Sequence, residues 1–205
     1  MKWLKHIFQK GTKDLTLLLL HGTGGNEYDL LSIGKAIDKE ANILSVRGNV
    51  LENGMPRFFK RLEMGVFDEE DLVFRTKELN DFIDEASQTY GFDRSKVIAV
   101  GYSNGANIAG SLLFHIKDAL SGAILFHPMV PRRGVAIPDL SDVKVFIGAG
   151  ENDPICPREE SVELVQLLSE AHANVTEYWT NQGHRLTQDE LVQAINWYHI
   201  HFNNN

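Results

Sequence analysis

Cysteine occurs once, at Cys156, so no disulfide can close within the chain, and a reducing compartment is expected. Long apolar runs are missing as well. The densest, Leu15 to Leu20, follows Lys13-Asp14 and is too short for a membrane span or a signal-peptide core. A cytoplasmic protein is therefore expected. Basic residues are in the minority: 20 Lys and Arg face 28 Asp and Glu, a net charge of −8. That balance argues against nucleic acid and against stable association with an anionic membrane surface, since both call for a basic face. No His, Cys or carboxylate cluster has metal-ligand spacing. Repeats, low-complexity tracts and breaks in composition are absent, so residues 1–205 read as a single domain, long enough to bury most of its apolar surface.

The stretch Lys96 to Gly110 carries the most information. Val97-Ile98-Ala99-Val100 is a β-branched strand pattern, Gly101-Tyr102-Ser103-Asn104-Gly105 a turn, and Ile108, Leu112 and Ile116 continue at helical spacing. A strand, a sharp turn with serine at its tip and a helix form the context of a nucleophile elbow, G-x-S-x-G. A side chain at Gly101 or Gly105 would collide with backbone crowded by such a turn. The bare motif recurs by chance in about one chain in fifteen. The remaining weight must come from elsewhere in the chain.

Further strands are predicted over Trp3–Gln9, Leu15–Leu20, Asn42–Val46, Gly122–Phe126, Val143–Ala149 and Val175–Thr180. Helices are predicted over Asp29–Glu40, Asp71–Tyr90, from Pro157 onward, and after the capping box Thr187-Gln188-Asp189-Glu190. Arg47 to Glu70 reads as an irregular stretch. Strands alternating with helices predict an α/β fold, a mainly parallel twisted sheet with helices on both faces. In such sheets chemistry gathers past the carboxyl ends of the strands.

Four strand ends carry suggestive residues. His21-Gly22-Thr23-Gly24-Gly25 follows the second strand, Ser103 the elbow strand, Asp153-Pro154 the next, and Gly183-His184 the last. Serine is a poor nucleophile until a histidine takes its proton, and the histidine needs an acid to hold its tautomer. Ser103, Asp153 and His184 supply that set in the chain order expected with this elbow. His127 also follows a strand and is the rival base; Glu151 is the rival acid. His172, His199 and His201 fall in predicted helices. Glu27 stands where a G-x-G-x-x-G fingerprint needs glycine, which disfavours a nucleotide site. The Gly22–Gly25 loop reads instead as an oxyanion loop, with the backbone N–H groups of Thr23 and Asn104 as donors. This chemistry calls for neither cofactor nor metal. Met55, Phe58 and Phe59 in the long connection (which also holds Leu62, Met64 and Phe67), with Met129 and Val130 in the Pro-rich loop, are candidates to line a substrate pocket.

Together these motifs resemble the small carboxylesterase/phospholipase family of α/β-hydrolases, relatives of acyl-protein thioesterases, over essentially the whole chain. Val46-Arg47-Gly48 and Glu52 to Phe59 look most like the bacterial hydrolases associated with methylhydroquinone or catechol resistance. The resemblance implies an α/β-hydrolase fold with minimal or no lid, Ser103, Asp153 and His184 as triad, and Thr23 and Asn104 as oxyanion donors. Relatives usually carry Gln after the serine and often Val before the proline. Here Asn104 shortens the first and Cys156 replaces the second, so oxidation of Cys156 is a candidate route to disturbing Asp153. The expected activity is hydrolysis of short-chain or small aromatic and alkyl carboxylic esters through an acyl-enzyme (EC 3.1.1.-). Thioesterase or lysophospholipase chemistry is the neighbouring alternative, and a catalytically silent ligand-binding protein the alternative of another class. Acyl transfer to an acceptor other than water and a homodimer both stay open.

Overall fold

The computed structural model describes residues 4–202. In chain order it runs through β1 (His6–Gln9), β2 (Thr16–Leu20), α1 (Leu31–Ile37), β3 (Asn42–Val46), β4 (Val50–Glu52), β5 (Met55–Arg57), β6 (Arg61–Glu63), β7 (Val66–Phe67) and α2 (Glu69–Tyr90). There follow β8 (Val97–Tyr102), α3 (Asn104–His115), β9 (Gly122–Phe126), β10 (Lys144–Gly150), α4 (Arg158–Glu170), β11 (Asn174–Thr180) and α5 (Gln188–Phe202). Seven strands form one sheet in the order β1-β3-β2-β8-β9-β10-β11. All neighbours are parallel except β1, which pairs antiparallel with β3. This is the α/β-hydrolase architecture without a large lid insertion. Trp3, where the first strand is predicted to begin, lies outside the described residues.

Alternation along the buried strands divides two cores. Leu18 and Leu20 of β2 and Val97 and Ala99 of β8 face α2, α3 and α4. Leu17, Leu19, Ile98 and Val100 face α1 and α5, where Tyr198 and Trp197 fill the layer. The four leucines of β2 are fully buried, each contributing about 1.5–3 kcal/mol of hydrophobic free energy. No helix among the described residues is long and apolar enough to cross a membrane.

Two expectations change. Helix α1 is shorter than 29–40, because Asp38 leaves the helix with extended backbone. Its carboxylate then accepts from Lys13 Nζ at 2.7 Å, Tyr198 OH at 2.8 Å and Glu40 N at 2.9 Å. The connection between Arg47 and Glu70 is not irregular but holds two antiparallel hairpins, β4–β5 and β6–β7. Asn53 and Gly54, at φ 51° and 80°, make the two-residue turn of the first, the left-handed pair that matches strand twist. Pro56 within β5 hides the alternation that would announce it.

The elbow depends on the close approach of α3 to β2. A Cβ on Gly105 would overlap the Leu20 carbonyl, and one on Gly101 would lie 2.6 Å from the Gly105 carbonyl oxygen. Gly105→Ala is expected to destabilise the fold by about 1–3 kcal/mol. Thermal unfolding monitored by circular dichroism tests this. An unchanged midpoint would show that the contact is relaxed.

Candidate active site

Ser103 sits between β8 and α3 with φ 53° and ψ −114°, a sparsely populated backbone conformation for a non-glycine residue. Its N–H is held by the Phe126 carbonyl at 2.9 Å, and its own carbonyl accepts from Asn107 N at 2.9 Å. The conformation projects the side chain past the sheet edge toward the β11–α5 loop. There His184 Nε2 lies 2.9 Å from Ser103 Oγ, and His184 Nδ1 lies 2.8 Å from Asp153 Oδ2. The Tyr102 hydroxyl donates to the His184 carbonyl at 2.6 Å, pinning the loop that carries the imidazole.

Asp153 is buried and accepts four N–H groups. Oδ1 takes the backbone N–H of Ile155 at 2.8 Å and of Cys156 at 2.9 Å. Oδ2 is shared by His184 and by His127 Nδ1 at 3.0 Å. Burial pushes the carboxyl pKa up, but the backbone donors and His184 more than offset it, leaving it below its usual range.

His127, the rival base, does not approach Ser103 as His184 does. It is fully buried, at φ 54°, with its ring edge-on to His184 at 5.3 Å between centroids. Its Nε2 lies 2.9 Å from Glu190 Oε1 as an ion pair, off the direction of a hydrogen bond. Burial opposes protonation of this ring most strongly, yet Glu190 and then Asp153 overcome it and raise its pKa above the ordinary histidine value. Glu190 does double duty. Its Oε2 closes the capping box by accepting Thr187 N at 2.8 Å, and Thr187 Oγ1 takes Glu190 N at 3.2 Å. The capping box is legible in sequence; the second partner of Glu190 is not, because sequence does not tell which face of α5 meets β9.

Folding thus gathers ligand atoms of His127, Asp153 and His184 within 4.8 Å of one another, a set that could hold a metal ion although no sequence spacing announces it. The separations of 3.0 and 2.8 Å between each Nδ1 and the shared oxygen are those of hydrogen bonds. Metal ligation would turn all three atoms toward a common centre at about 2 Å.

The Thr23 loop is held by the β4–β5 hairpin. Gly24 N donates to Pro56 O at 2.9 Å, and Arg57 Nη1 donates to Thr23 Oγ1 at 2.6 Å. Phe58 N donates to Asn104 Oδ1 at 2.7 Å. Asn104 opens α3, so its own N–H has no partner within the helix. His21 donates from Nδ1 to Gly22 O at 2.6 Å and accepts Gly48 N on Nε2 at 3.0 Å; burial lowers its pKa, in keeping with a neutral ring. Glu27 is a buried carboxylate paired with Arg47 at 2.5 Å.

Ser103, Thr23 and Asn104 line one cavity of about 40 Å³. Of the sequence-derived pocket residues, Met129 lines it, and so do Met64 and Phe67 from the same long connection as Phe58 and Phe59. Phe58, Phe59 and Val130 are buried in the core beside it and Met55 is exposed on the hairpin, none lining this cavity. The larger opening, about 490 Å³ around Lys13, Lys96 and Lys144, lies at the amino ends of the strands. Cys156 is buried, its thiol donating to His127 O at 3.3 Å. Burial raises its pKa strongly, the reverse of what an oxidation-sensitive thiol needs. His172 lies in the turn after α4 rather than in a helix, 3.1 Å from Asp139.

The Phospholipase/Carboxylesterase family model matches residues 7–202. The chain belongs to this family. It is similar to the putative hydrolase MhqD of Bacillus subtilis, 65% identical over 95% of this chain and 98% of MhqD. Among solved structures it is similar to a Bacillus cereus carboxylesterase, 62% identical with a TM-score of 0.96, covering 97% of this chain and 95% of that one. YahD, solved with malic acid, is 34% identical with a TM-score of 0.89 over 95% and 97% of the two chains. The protein is thus an ester hydrolase of the carboxylesterase type.

The His127 ion pair predicts a pH signature. A raised histidine pKa contributes stability that is complete below the unfolded value of about 6.5 and is lost as pH rises through the folded value. Glu190→Gln keeps an oxygen for the helix cap but removes the countercharge. It is expected to cost about 1–3 kcal/mol near pH 6, with the gap to wild type closing toward pH 9. Urea unfolding across that range measures it. A gap independent of pH would mean that the ring is neutral in the fold.

Proposed function

We propose that the protein hydrolyses carboxylic esters through an acyl-enzyme on Ser103. The reading is carried by one observation: Ser103 Oγ, His184 Nε2, His184 Nδ1 and Asp153 Oδ2 lie in series at 2.9 and 2.8 Å. Ser103 Oγ attacks the ester carbonyl as His184 Nε2 takes its proton. Asp153 keeps Nδ1 protonated and stabilises the imidazolium. The carbonyl oxygen, now an alkoxide, is received by the N–H groups of Thr23 and Asn104. Each such donor is worth about 3–4 kcal/mol in the transition state.

Collapse of this intermediate breaks the bond to the alcohol, which leaves with the proton from Nε2. Water then enters, loses a proton to the same nitrogen and releases the acid, restoring Ser103. The β4–β5 hairpin bonds to the Thr23 loop through Pro56 and Arg57 without forming a large lid, and the cavity beside Ser103 is small. Both favour short acyl groups over lipid aggregates.

Ser103→Ala is expected to lower kcat by at least about 10³-fold while leaving the fold intact. A fluorophosphonate should add once to wild type and not to the variant, read by intact mass. Most of the activity surviving in the variant would sink the assignment. Failure of well-folded wild type to label would bring forward the silent ligand-binding alternative.

A further inference from the structure

The cavity beside Ser103 has an unexpected electrostatic character for an ester site. Two arginines, Arg57 and Arg61, line it, and no carboxylate does. Arg57 is buried, its side chain 4% exposed. Nη1 donates to Thr23 Oγ1 and Nε to Phe59 O at 3.2 Å, while Nη2 has no hydrogen-bond partner among the described residues. A single carboxylate, Glu52, serves both guanidiniums from outside the cavity. It meets Arg61 at 2.6 Å and Arg57 only at 3.5 Å. One negative charge therefore faces two positive ones. Burial first, and then the neighbouring Arg61, bring the Arg57 pKa down to about 10 despite Glu52. The guanidinium is held where a further anion would be welcome.

The cavity also has a direction. The leaving oxygen of an ester must lie against His184 Nε2 to receive its proton, and His184 does not line this cavity. Thr23 and Asn104, which would receive the carbonyl oxygen, do. The part of the substrate that enters beside the arginines is therefore the acyl part.

We infer that the cavity is an anion-recognising acyl subsite, in which Arg57, backed by Arg61, receives a carboxylate carried by the acyl group. Favoured substrates are hemiesters of short dicarboxylic acids, of malonyl or succinyl size, since a cavity of about 40 Å³ takes only a few heavy atoms. The inference rests on the reading of Ser103 and His184 as nucleophile and base.

The test compares kcat/KM for monomethyl succinate, methyl butyrate and acetoxyacetate by pH-stat, on enzyme whose Ser103 has been shown to label with a fluorophosphonate. Monomethyl succinate should exceed methyl butyrate by about 10-fold or more. Acetoxyacetate, whose carboxylate is on the alcohol side, should show no comparable gain. In Arg57→Gln the succinate-to-butyrate ratio should fall by about 10–100-fold, mostly through KM, and Arg57→Lys should restore part of it. Glu52→Gln, which removes the competing carboxylate, should raise the ratio, a gain that misfolding cannot mimic. A labelled enzyme that turns over methyl butyrate with no preference for the hemiester overturns the subsite alone. So does an Arg57→Gln variant that loses both esters equally, because Arg57 would then serve only to hold Thr23. A preference for acetoxyacetate overturns the acyl-side assignment. Absence of both labelling and hydrolysis overturns the serine-hydrolase reading and this inference with it.

Discussion

The carboxylate of Asp153 is the point through which the site is joined to the fold. Its four N–H donors come from three places: the turn before α4, the loop after β11 and the end of β9. None could move alone without leaving a buried charge short of a partner, a loss of several kcal/mol. Backbone donors on Oδ1 fix the carboxylate plane, which aims Oδ2 at the two imidazoles. The direction of His184, and hence the 2.9 Å approach of Nε2 to Ser103, follows from that aim. The second imidazole extends the constraint, because His127 connects Asp153 to Glu190 and so to the first turn of α5. The helix that packs the far face of the sheet is thus tied to the carboxylate that orients His184.

A second constraint acts from the opposite side. The Thr23 loop, proposed to receive the oxyanion, carries Gly22, Gly24 and Gly25, and little in its own sequence would hold it rigid. Rigidity comes from the hairpin over residues 50–57, which meets the loop through Pro56 and Arg57 and meets the elbow helix through Phe58 N on Asn104. One hairpin thus braces both N–H groups proposed to receive the oxyanion. Donors fixed before the reaction need no reorganisation when charge develops, which is where such groups gain their effect. The Asn104 side chain takes part in this bracing, its oxygen accepting the N–H of Phe58 just past the hairpin at 2.7 Å.

The sequence was legible where a local pattern had a single structural meaning. The run Val97 to Gly110 spells strand, turn and helix, and its glycines fall where α3 presses on β2. Ser103, Asp153 and His184 each end a strand, so parallel topology alone was enough to bring them to one edge. The capping box at Thr187 was legible for the same reason. The hairpins were not. Asn53-Gly54 is a strong turn signal, but Pro56 and the short flanks obscure the alternation on either side. The partners of His127 were also beyond reach, since nothing in Thr187 to Glu190 says that one carboxylate will cap a helix and pair with a strand-end histidine. Pocket residues chosen for hydrophobicity divided: Phe58, Phe59 and Val130 are buried in the core, whereas Met64, Phe67 and Met129 line the cavity beside the charged Arg57. Hydrophobicity alone does not tell which large side chains of such a stretch turn to the core and which to a site wall.

The charge balance of the chain bears on the same point. A net charge of −8 gives the protein a field that repels anions at a distance, so a cationic cavity has no role in long-range steering. Its effect is confined to contact. Within about a Debye length of 8–10 Å, two guanidiniums served by one glutamate outweigh the distant surface carboxylates, and partial burial shields them from counterions. A neutral ester would gain little from such a wall. It would displace water from Arg57 without offering an acceptor, leaving a buried donor unmet. A carboxylate at the same place supplies the acceptor and the missing charge together. The arginine that steadies the Thr23 loop is thereby also the group best placed to distinguish one acyl chain from another.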